Sequence, residues 1–165
     1  MAKKKDAEER IFKVRDFDIK DEMKKDFVTY AREVNAHRAF PYELPGIKPV
    51  AGHAFWSMFV NKRNSSRPYT KSAKVEGEVM SFSPHGGSYS ALARMAADYI
   101  YHIPYIDGHG SFGSAVGGPT PGAARYTEMR LSEFTEDVLL YNTKLLDMGL
   151  NYLEEEPEPK LEKWV

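Results

Sequence analysis

The apolar residues of this 165-residue chain recur mainly at helical spacing. From Met23 to Val34 they return every three or four residues, which places them on one face of a helix, and Asp21 is positioned to cap it. The same spacing predicts four further helices, over residues 50–60, 73–80, 89–100 and 132–148. Ser88 directly precedes one of them and is a residue type that caps helices. The pattern therefore predicts a mainly helical protein.

Extended structure is predicted on both sides of a glycine-rich stretch, residues 107–122. A short strand is predicted before it, over residues 103–106, and an extended run after it, over residues 125–131. Several helices followed by a small strand-and-glycine region favour a winged helix, which is a helix-turn-helix with a small β-wing. The predicted fold class is thus α+β and mainly helical.

The chain divides into three segments on this interpretation. Residues 1–20 mix charges of both signs and form an N-terminal arm, and residues 21–150 form the winged-helix domain. Residues 151–165 are predicted to be an acidic tail or linker, because glutamates alternate with prolines there and such a composition favours solvated chain.

Composition narrows the class of protein further. The chain has no cysteine, which excludes disulfides and thiolate chemistry. No apolar run is long enough to span a membrane and the N-terminus lacks a signal-peptide core, so we expect a cytoplasmic protein without a membrane partner. From residue 32 to 102 there are nine Lys and Arg against five Asp and Glu, whereas from residue 128 onward there are four against ten. The middle of the chain is therefore the part that could face a polyanion.

Eight short strings supply the most specific signal. In chain order they are Tyr30-Ala31, Arg38-Ala39, Gly46-Ile47-Lys48-Pro49-Val50, Lys71-Ser72-Ala73, Pro84-His85-Gly86, Arg94-Met95-Ala96, Asp107-Gly108-His109-Gly110-Ser111-Phe112-Gly113-Ser114 and Ala124-Arg125-Tyr126-Thr127-Glu128-Met129-Arg130-Leu131. Together they resemble the N-terminal winged-helix breakage-reunion domain of type IIA topoisomerase A subunits, those of DNA gyrase and topoisomerase four. The resemblance covers roughly residues 22–140.

The resemblance implies a DNA-cleaving tyrosine. Tyr126 matches the nucleophile that forms a reversible 5′-phosphotyrosyl bond to DNA and leaves a free 3′-OH. A phenol is a weak nucleophile at neutral pH, so nearby positive charge has to favour the phenolate. Arg125 matches the family's catalytic arginine, and Arg38 matches a second arginine near the scissile phosphate. His85 and Lys48 match positions that line the active site or contact the DNA backbone. Guanidinium groups suit this role because they meet phosphoryl oxygens with paired donors.

The resemblance also implies partners and cofactors. Double-stranded DNA would be bound by six residues in addition to the catalytic set, namely Lys48, His53, Lys71, Lys74, Ser88 and Arg94. Mg²⁺ would be supplied, and ATP used, by a B-type subunit that carries the metal and ATPase domains, so this chain alone is expected to hold no metal. We expect a homodimer or a heteromer, which could include a separate fragment bearing the rest of an A subunit.

Four departures from the family's pattern favour a diverged form. After Lys48-Pro49-Val50 the family has His-Arg-Arg where this chain has Ala51-Gly52-His53, so His53 stands in place of an active-site arginine. Ser83 stands in place of an active-site histidine. The helix between Gly86 and Arg94 is about two residues short. The sequence also stops about 40 residues after Tyr126, without room for the family's tower, dimer gate or DNA-wrapping domain. A short or split subunit, from a phage or mobile element, is the expected form.

Simpler interpretations stay open for the individual residues. Tyr126 could be a strand tyrosine packed under the wing, Arg38 a cation at a helix end, and His85 a turn residue. His53, beside Phe55 and Trp56, could be a structural substitute. For the whole protein the alternatives are a catalytically impaired winged-helix DNA-binding protein, a modulator that docks on a topoisomerase, and an inert gene remnant.

Overall fold

The computed structural model describes residues 18–42 and 46–160, which contain helices and two small sheets. The α-helices are α1 (Ile19–Val34), α2 (Pro49–Val60), α3 (Ser72–Val79) and α4 (Tyr89–Ala96). The strands are β1 (Thr70–Lys71), β2 (Ile106–His109), β3 (Glu128–Leu131), β4 (Met148–Leu150) and β5 (Pro157–Pro159). Two π-helical turns, Asn35–Ala39 and Thr135–Leu139, and a 3₁₀ turn, Thr143–Leu145, complete the set. Helix and sheet therefore occur together, as the predicted α+β class requires.

Helix α1 begins three residues earlier than predicted. The cap is Asp18, whose carboxylate accepts a hydrogen bond of 2.8 Å from the Lys20 backbone N–H, and not Asp21. Asp21 lies in the first turn instead, where its charge interacts favourably with the positive end of the helix dipole. No residue of α1 is buried, so the apolar face predicted for this helix lies at the surface.

Helix α2 is the centre of the core. Pro49 occupies its first turn, where the missing N–H costs nothing and the fixed φ angle suits a helix. Phe55 and Met58 are fully buried, and α3, α4, β3 and β5 all contact this helix. Because neighbours surround α2, its sequence is apolar on nearly every side. The other core side chains that are at most 1% exposed include Val75, Val79, Phe82, Leu92, Ile106, Met129 and Leu131.

A three-stranded antiparallel sheet, ordered β1–β3–β2, packs against this core. In β3 the side chains of Met129 and Leu131 are buried, whereas Glu128 and Arg130 are partly exposed, which is the alternation expected of a half-buried strand. Strand β2 lies three residues later than predicted and enters the glycine-rich segment. Gly108 makes this possible, because a Cβ there would lie 2.5 Å from the Phe112 ring. A strand containing this glycine has no regular apolar alternation to reveal it.

The helix predicted over residues 132–148 is wrong. The hydroxyls of Ser132 and Thr135 bond the Tyr105 carbonyl and fix the start of the segment, but the π-helical turn ends at Leu139. Val138, Tyr141 and Leu145, whose spacing was the basis of this prediction, are 58%, 82% and 81% exposed. Helical spacing alone therefore does not produce a helix here. Helix α4 is also shorter than predicted, because Ala97 is extended and Ile100 lies beyond it.

A hairpin of β4 and β5 includes much of the stretch predicted to be solvated tail, since β5 and the turn before it lie in residues 151–160. The Trp56 indole N–H donates to the Pro157 carbonyl at 3.0 Å, and the Asn151 side-chain amide donates to the Ser81 carbonyl at 2.8 Å. The Tyr152 hydroxyl donates to the Met80 carbonyl. These bonds hold the hairpin on α2 and on the chain after α3, so residues up to Lys160 are not a free tail.

The predicted N-terminal arm falls largely on residues 1–17, and the end of the predicted tail on residues 161–165, both of which lie outside the described residues. The domain boundaries at residues 20 and 150 stay predictions. Within the described residues, no helix has the length and apolar character needed to cross a membrane.

Candidate functional site

Tyr126 lies at the surface, at the end of a turn that leads into β3. Its backbone N–H donates to the Ala123 carbonyl at 2.8 Å, and its side chain is 69% exposed. Tyr126 is therefore not a packed strand residue, and a large substrate can reach its hydroxyl. Arg125 is also exposed, and its guanidinium carbon lies 4.5 Å from the centre of the Tyr126 ring. Adjacent residues within a strand point to opposite faces of a sheet, but Arg125 and Tyr126 both precede β3. Their side chains can therefore lie together.

The backbone around Tyr126 is fixed although its side chain is free. The first N–H groups of α3 bond this segment: Ser72 donates to the Thr127 carbonyl at 3.0 Å and Ala73 donates to the Ala124 carbonyl at 3.2 Å. These donors have no partner inside the helix, so the segment satisfies them. Thr127, directly after Tyr126, is 1% exposed. An accessible tyrosine is thus held on an anchored backbone.

Lys71 and Glu128 form an ion pair beside this segment. The Lys71 ammonium lies 2.9 Å from one Glu128 carboxylate oxygen, and a His109 ring nitrogen lies 3.1 Å from the other. The hydrogen bond from Lys71, and then that from His109, holds the pKa of Glu128 below its ordinary value. The Lys71 side chain is 58% exposed, so solvent can reach it although its ammonium is paired with Glu128.

A single cavity brings together five of the ten predicted site residues. It lies between the π-helical turn after α1, the start of α2, the segment before α4 and the hairpin. The predicted residues that line it are Arg38, Lys48, His53, His85 and Ser88. His37 and Lys160 add further basic groups, and Glu33 and Glu158 are its acidic ones. The cavity is therefore rich in side chains that can receive an anion.

The other predicted site residues lie elsewhere. Arg125 and Tyr126 do not line the cavity, and neither do Lys71, Lys74 and Arg94, all of which are exposed. Within one chain, the tyrosine and the cavity cations are thus two separate groups. The first turn of α4 connects them, because Ser88 lines the cavity and the neighbouring Tyr89 contacts Thr127.

The Ser88 side chain does not cap α4. Its hydroxyl oxygen is buried and forms no hydrogen bond within the described residues. The Glu76 carboxylate provides part of the capping, because it accepts a hydrogen bond from the Tyr89 backbone N–H at 3.1 Å. Ser88 was predicted to cap α4 because it is a capping residue type directly before the helix. Glu76, a residue of α3, takes part of that role instead.

His53 and Glu158 face each other in the cavity wall, each with a side chain 18% exposed, and their nearest nitrogen and oxygen are 3.8 Å apart. Burial, and next the charge of His85, lowers the pKa of His53 to about 4. Burial raises the pKa of Glu158 to about 7. His53 is consequently neutral at neutral pH, so its contact with Glu158 is not a salt bridge there.

We expect Glu158→Gln to stabilise the protein at alkaline pH. A raised pKa in the folded state means that the stability contributed by Glu158 is present below pH 4.5 and is lost as pH rises through about 7. Glutamine cannot ionise, so the variant should be more stable by roughly 1–2 kcal/mol at pH 8, less than the full shift implies because the side chain keeps some solvent exposure. Near pH 5 the difference should be only about a quarter of that at pH 8, because most of the loss occurs between pH 5 and pH 7.

The measurement is thermal unfolding of both proteins from pH 5 to pH 8, with the exposed Glu155→Gln as control. His53 stays neutral over this range, because its pKa is about 4. An equal difference at pH 5 and pH 8 would show that Glu158 is not held in its neutral form.

No group of three or more His, Asp or Glu side chains in residues 18–42 and 46–160 is arranged to hold a metal ion.

Sequence reasoning missed three residues beside the tyrosine: Ser72, Tyr89 and Thr127, whose hydroxyls contact one another. It also missed Glu158, which was assigned to the tail. A tyrosine at the start of α4 is a weak signal, and nothing local in the sequence indicates that it contacts a residue 38 positions away.

Comparison with known proteins shows which family the chain is similar to. The family model for the A subunit of DNA gyrase/topoisomerase IV matches residues 38–162. The DNA gyrase A subunit of Spiroplasma citri is 42% identical over 154 residues, which cover 89% of this chain and 66% of that protein. That of Mycoplasma genitalium is 37% identical over 169 residues, 96% of this chain and 20% of that protein. That of Halalkalibacterium halodurans is 38% identical over 157 residues, 93% of this chain and 19% of that protein. The chain thus spans about two thirds of the first relative and about a fifth of the other two.

Proposed function

Because this chain belongs to the family of DNA gyrase/topoisomerase IV A subunits, we propose that it is a DNA-breakage module and that Tyr126 is its nucleophile. The observation that carries the proposal is the exposed Tyr126 hydroxyl beside the Arg125 guanidinium, on a backbone anchored by α3. The gyrase relatives indicate a type IIA topoisomerase, which is an isomerase. In this proposal α2 to α4 and the sheet β1–β3–β2 correspond to the family's winged helix.

The proposed reaction exchanges one phosphodiester for another. The Tyr126 oxygen attacks a DNA phosphorus and loses its proton, while the bond from phosphorus to the 3′ oxygen breaks. That oxygen takes up a proton and leaves as a free 3′-OH, and the 5′ phosphate stays on the tyrosine. Because an ester bond is kept throughout, the 3′-OH can reverse the step without ATP.

Arg125 is proposed to assist the attack. Its guanidinium already lies over the Tyr126 ring, and a cation there interacts favourably with the ring face. A cation in this position favours the negatively charged form of the attacking oxygen. When DNA excludes water from the site, the same planar group can also meet phosphoryl oxygens with paired donors.

The cavity is proposed to receive backbone phosphates. Arg38, Lys48 and His85 are exposed at its rim and provide charge or hydrogen-bond donors. Further contacts would come from Lys71, Lys74, Arg94 and the unpaired Ser88 hydroxyl, whereas His53 would contribute as a neutral donor. Such contacts position DNA without reading its sequence and make binding depend on salt concentration.

Partners complete the proposed assembly. Since one chain keeps Tyr126 apart from Arg38 and His85, a second copy is proposed to bring another tyrosine to the same DNA. Mg²⁺ and ATP are proposed to belong to a B-type subunit, and the similarity to DNA gyrase A subunits supports this assignment. The assembly is proposed to act on DNA in the cytoplasm.

Trapping of a covalent complex tests the proposal. The chain is mixed with supercoiled plasmid, Mg²⁺, ATP and a gyrase B subunit, and the mixture is denatured rapidly. We expect linear or nicked plasmid with protein bound to its 5′ ends, and none when Mg²⁺ is chelated. DNA that stays intact under these conditions would overturn the cleavage proposal.

A second candidate function rests on His53, which burial keeps neutral at a position where the resemblance implies an arginine. Together with Ser83 in place of a histidine, it favours a catalytically impaired protein that binds DNA or docks on a topoisomerase. In the same experiment this candidate predicts a salt-sensitive mobility shift of the plasmid, or capture of a B subunit, without any covalent complex.

A further inference from the structure

We infer that Tyr89 is a positioning residue that fixes the nucleophile loop, defined as residues 122–127, and thereby sets the location of Tyr126. The inference rests on the proposed function only for the role of Tyr126. The contacts that hold the loop are independent of it.

The Tyr89 hydroxyl joins the two ends of the nucleophile loop. It contacts the Gly122 carbonyl oxygen at the start of the loop and lies 2.9 Å from the Thr127 hydroxyl oxygen at its end. A carbonyl only accepts, so Tyr89 donates its proton to Gly122, whereas the Thr127 hydroxyl donates its own to Ser72. The Thr127 and Ser72 hydroxyl oxygens are 2.8 Å apart, which extends the chain of contacts to the start of α3.

Tyr89 itself is anchored. Its backbone N–H donates to the Glu76 carboxylate at 3.1 Å, which ties the first turn of α4 to α3. Its side chain is half-buried, whereas Thr127 and Ser72 are at most 1% exposed. Because water has little access to these hydroxyls, losing one leaves its partners without a ready replacement.

The loop has few other restraints on the α4 side. Helix α3 holds it through the Ser72 and Ala73 backbone N–H groups, and the Ser111 carbonyl accepts from the Gly122 N–H at 2.9 Å. In the described part of the chain, Tyr89 is the residue of α4 that hydrogen-bonds both loop ends. Ser88, its neighbour, lines the cation-rich cavity, so the same turn of helix links that cavity to Tyr126. Catalysis by an exposed side chain needs such restraint, because small displacements lower the rate strongly.

Tyr89→Phe tests the inference, since it removes the hydroxyl and keeps the ring. Two readouts are made on the full chain: hydrogen exchange of loop amides, and the rate of covalent complex formation at saturating DNA with Mg²⁺ and B subunit. We expect the loop amides to exchange about tenfold faster and α2 amides to be unchanged. We expect the rate to fall by roughly 10–100-fold with DNA affinity unchanged within about twofold. Tyr99→Phe is the matched control, because the Tyr99 hydroxyl contacts the Pro119 carbonyl of the same glycine-rich segment, outside the loop.

The two readouts separate the possible failures. Loop amides that exchange at the wild-type rate in Tyr89→Phe overturn the inference, whether or not the wild type cleaves DNA. Faster loop exchange with an unchanged cleavage rate also overturns it, because the restraint would not serve Tyr126. If the wild type forms no covalent complex, the proposed function fails, and loop exchange alone decides whether Tyr89 holds the loop.

Discussion

Replacing Tyr126 with phenylalanine should abolish covalent DNA cleavage, a loss of at least about 10⁴-fold, because the attacking oxygen is removed. The fold should not change. The Tyr126 side chain is 69% exposed, and its hydroxyl has no hydrogen-bond partner in residues 18–42 and 46–160. A surface substitution of this kind alters stability by about 0.5 kcal/mol or less. DNA affinity should also stay close to that of the wild type, since Arg38, Arg125 and the lysines remain.

The rate of covalent complex formation and the thermal unfolding midpoint together measure this effect. Tyr141→Phe is a suitable control, because Tyr141 is 82% exposed and lies outside both the nucleophile loop and the cavity. An equal yield of complex from Tyr126→Phe and wild type would assign the nucleophile to another residue or another protein.

Replacing Arg38 with alanine should lower the cleavage rate by roughly 10²–10³-fold, the loss typical of removing one donor that stabilises a charged transition state. Arg38 is exposed in the π-helical turn Asn35–Ala39, and no described carboxylate pairs with it, so its guanidinium is available to a phosphate. If Arg38 only complements the end of a helix, its removal would cost about 0.3–1 kcal/mol of stability and leave cleavage unchanged.

Single-turnover cleavage at saturating DNA distinguishes the two roles of Arg38. Arg38→Lys keeps the charge without the paired donors and should lie between alanine and wild type. Arg32→Ala is the matched control, because Arg32 is an exposed arginine in the last turn of α1 that does not line the cavity. A similar small effect from both alanine variants would remove Arg38 from the proposed site.

Much of the helical part of the fold could be predicted from the sequence. Helices α2, α3 and α4 bury an apolar face against partners that lie in the same domain, so helical spacing and burial agree. For the segment after Ser132, helical spacing gave a wrong prediction. The segment has the same spacing, but its helical turn ends at Leu139, and Tyr141 and Leu145 are exposed.

Elements that depend on distant partners could not be predicted. The stretch from Glu154 to Pro159 has the composition of solvated chain, yet it forms half of a hairpin because Trp56, about 100 residues away, bonds the Pro157 carbonyl. Strand β2 contains Gly108 and is stabilised by its pairing with β3 and by the Phe112 ring. In both cases the determining contacts join parts of the chain that a local pattern does not relate.

The same limit applies to the candidate site. The residues around Tyr126 form one continuous motif, so the sequence alone was enough to propose this tyrosine as the candidate nucleophile. The Tyr89 contacts and the facing pair of His53 and Glu158 depend on long-range packing and could not. The substitution at His53 is visible in the sequence, but the loss of its charge is visible only when its burial is known.

Mapping of the covalent bond tests the central claim most directly. Plasmid cleaved by the full chain with Mg²⁺ and B subunit is trapped, digested with nuclease and then with trypsin, and the modified peptide is identified by mass spectrometry. Trypsin cuts after Arg125 and Arg130, so the expected product is the peptide of residues 126–130, Tyr-Thr-Glu-Met-Arg, with a 5′-linked nucleotide on Tyr126. A nucleotide on any other residue, a 3′ linkage, or no modified peptide from cleaved DNA would contradict the assignment of Tyr126 as the nucleophile.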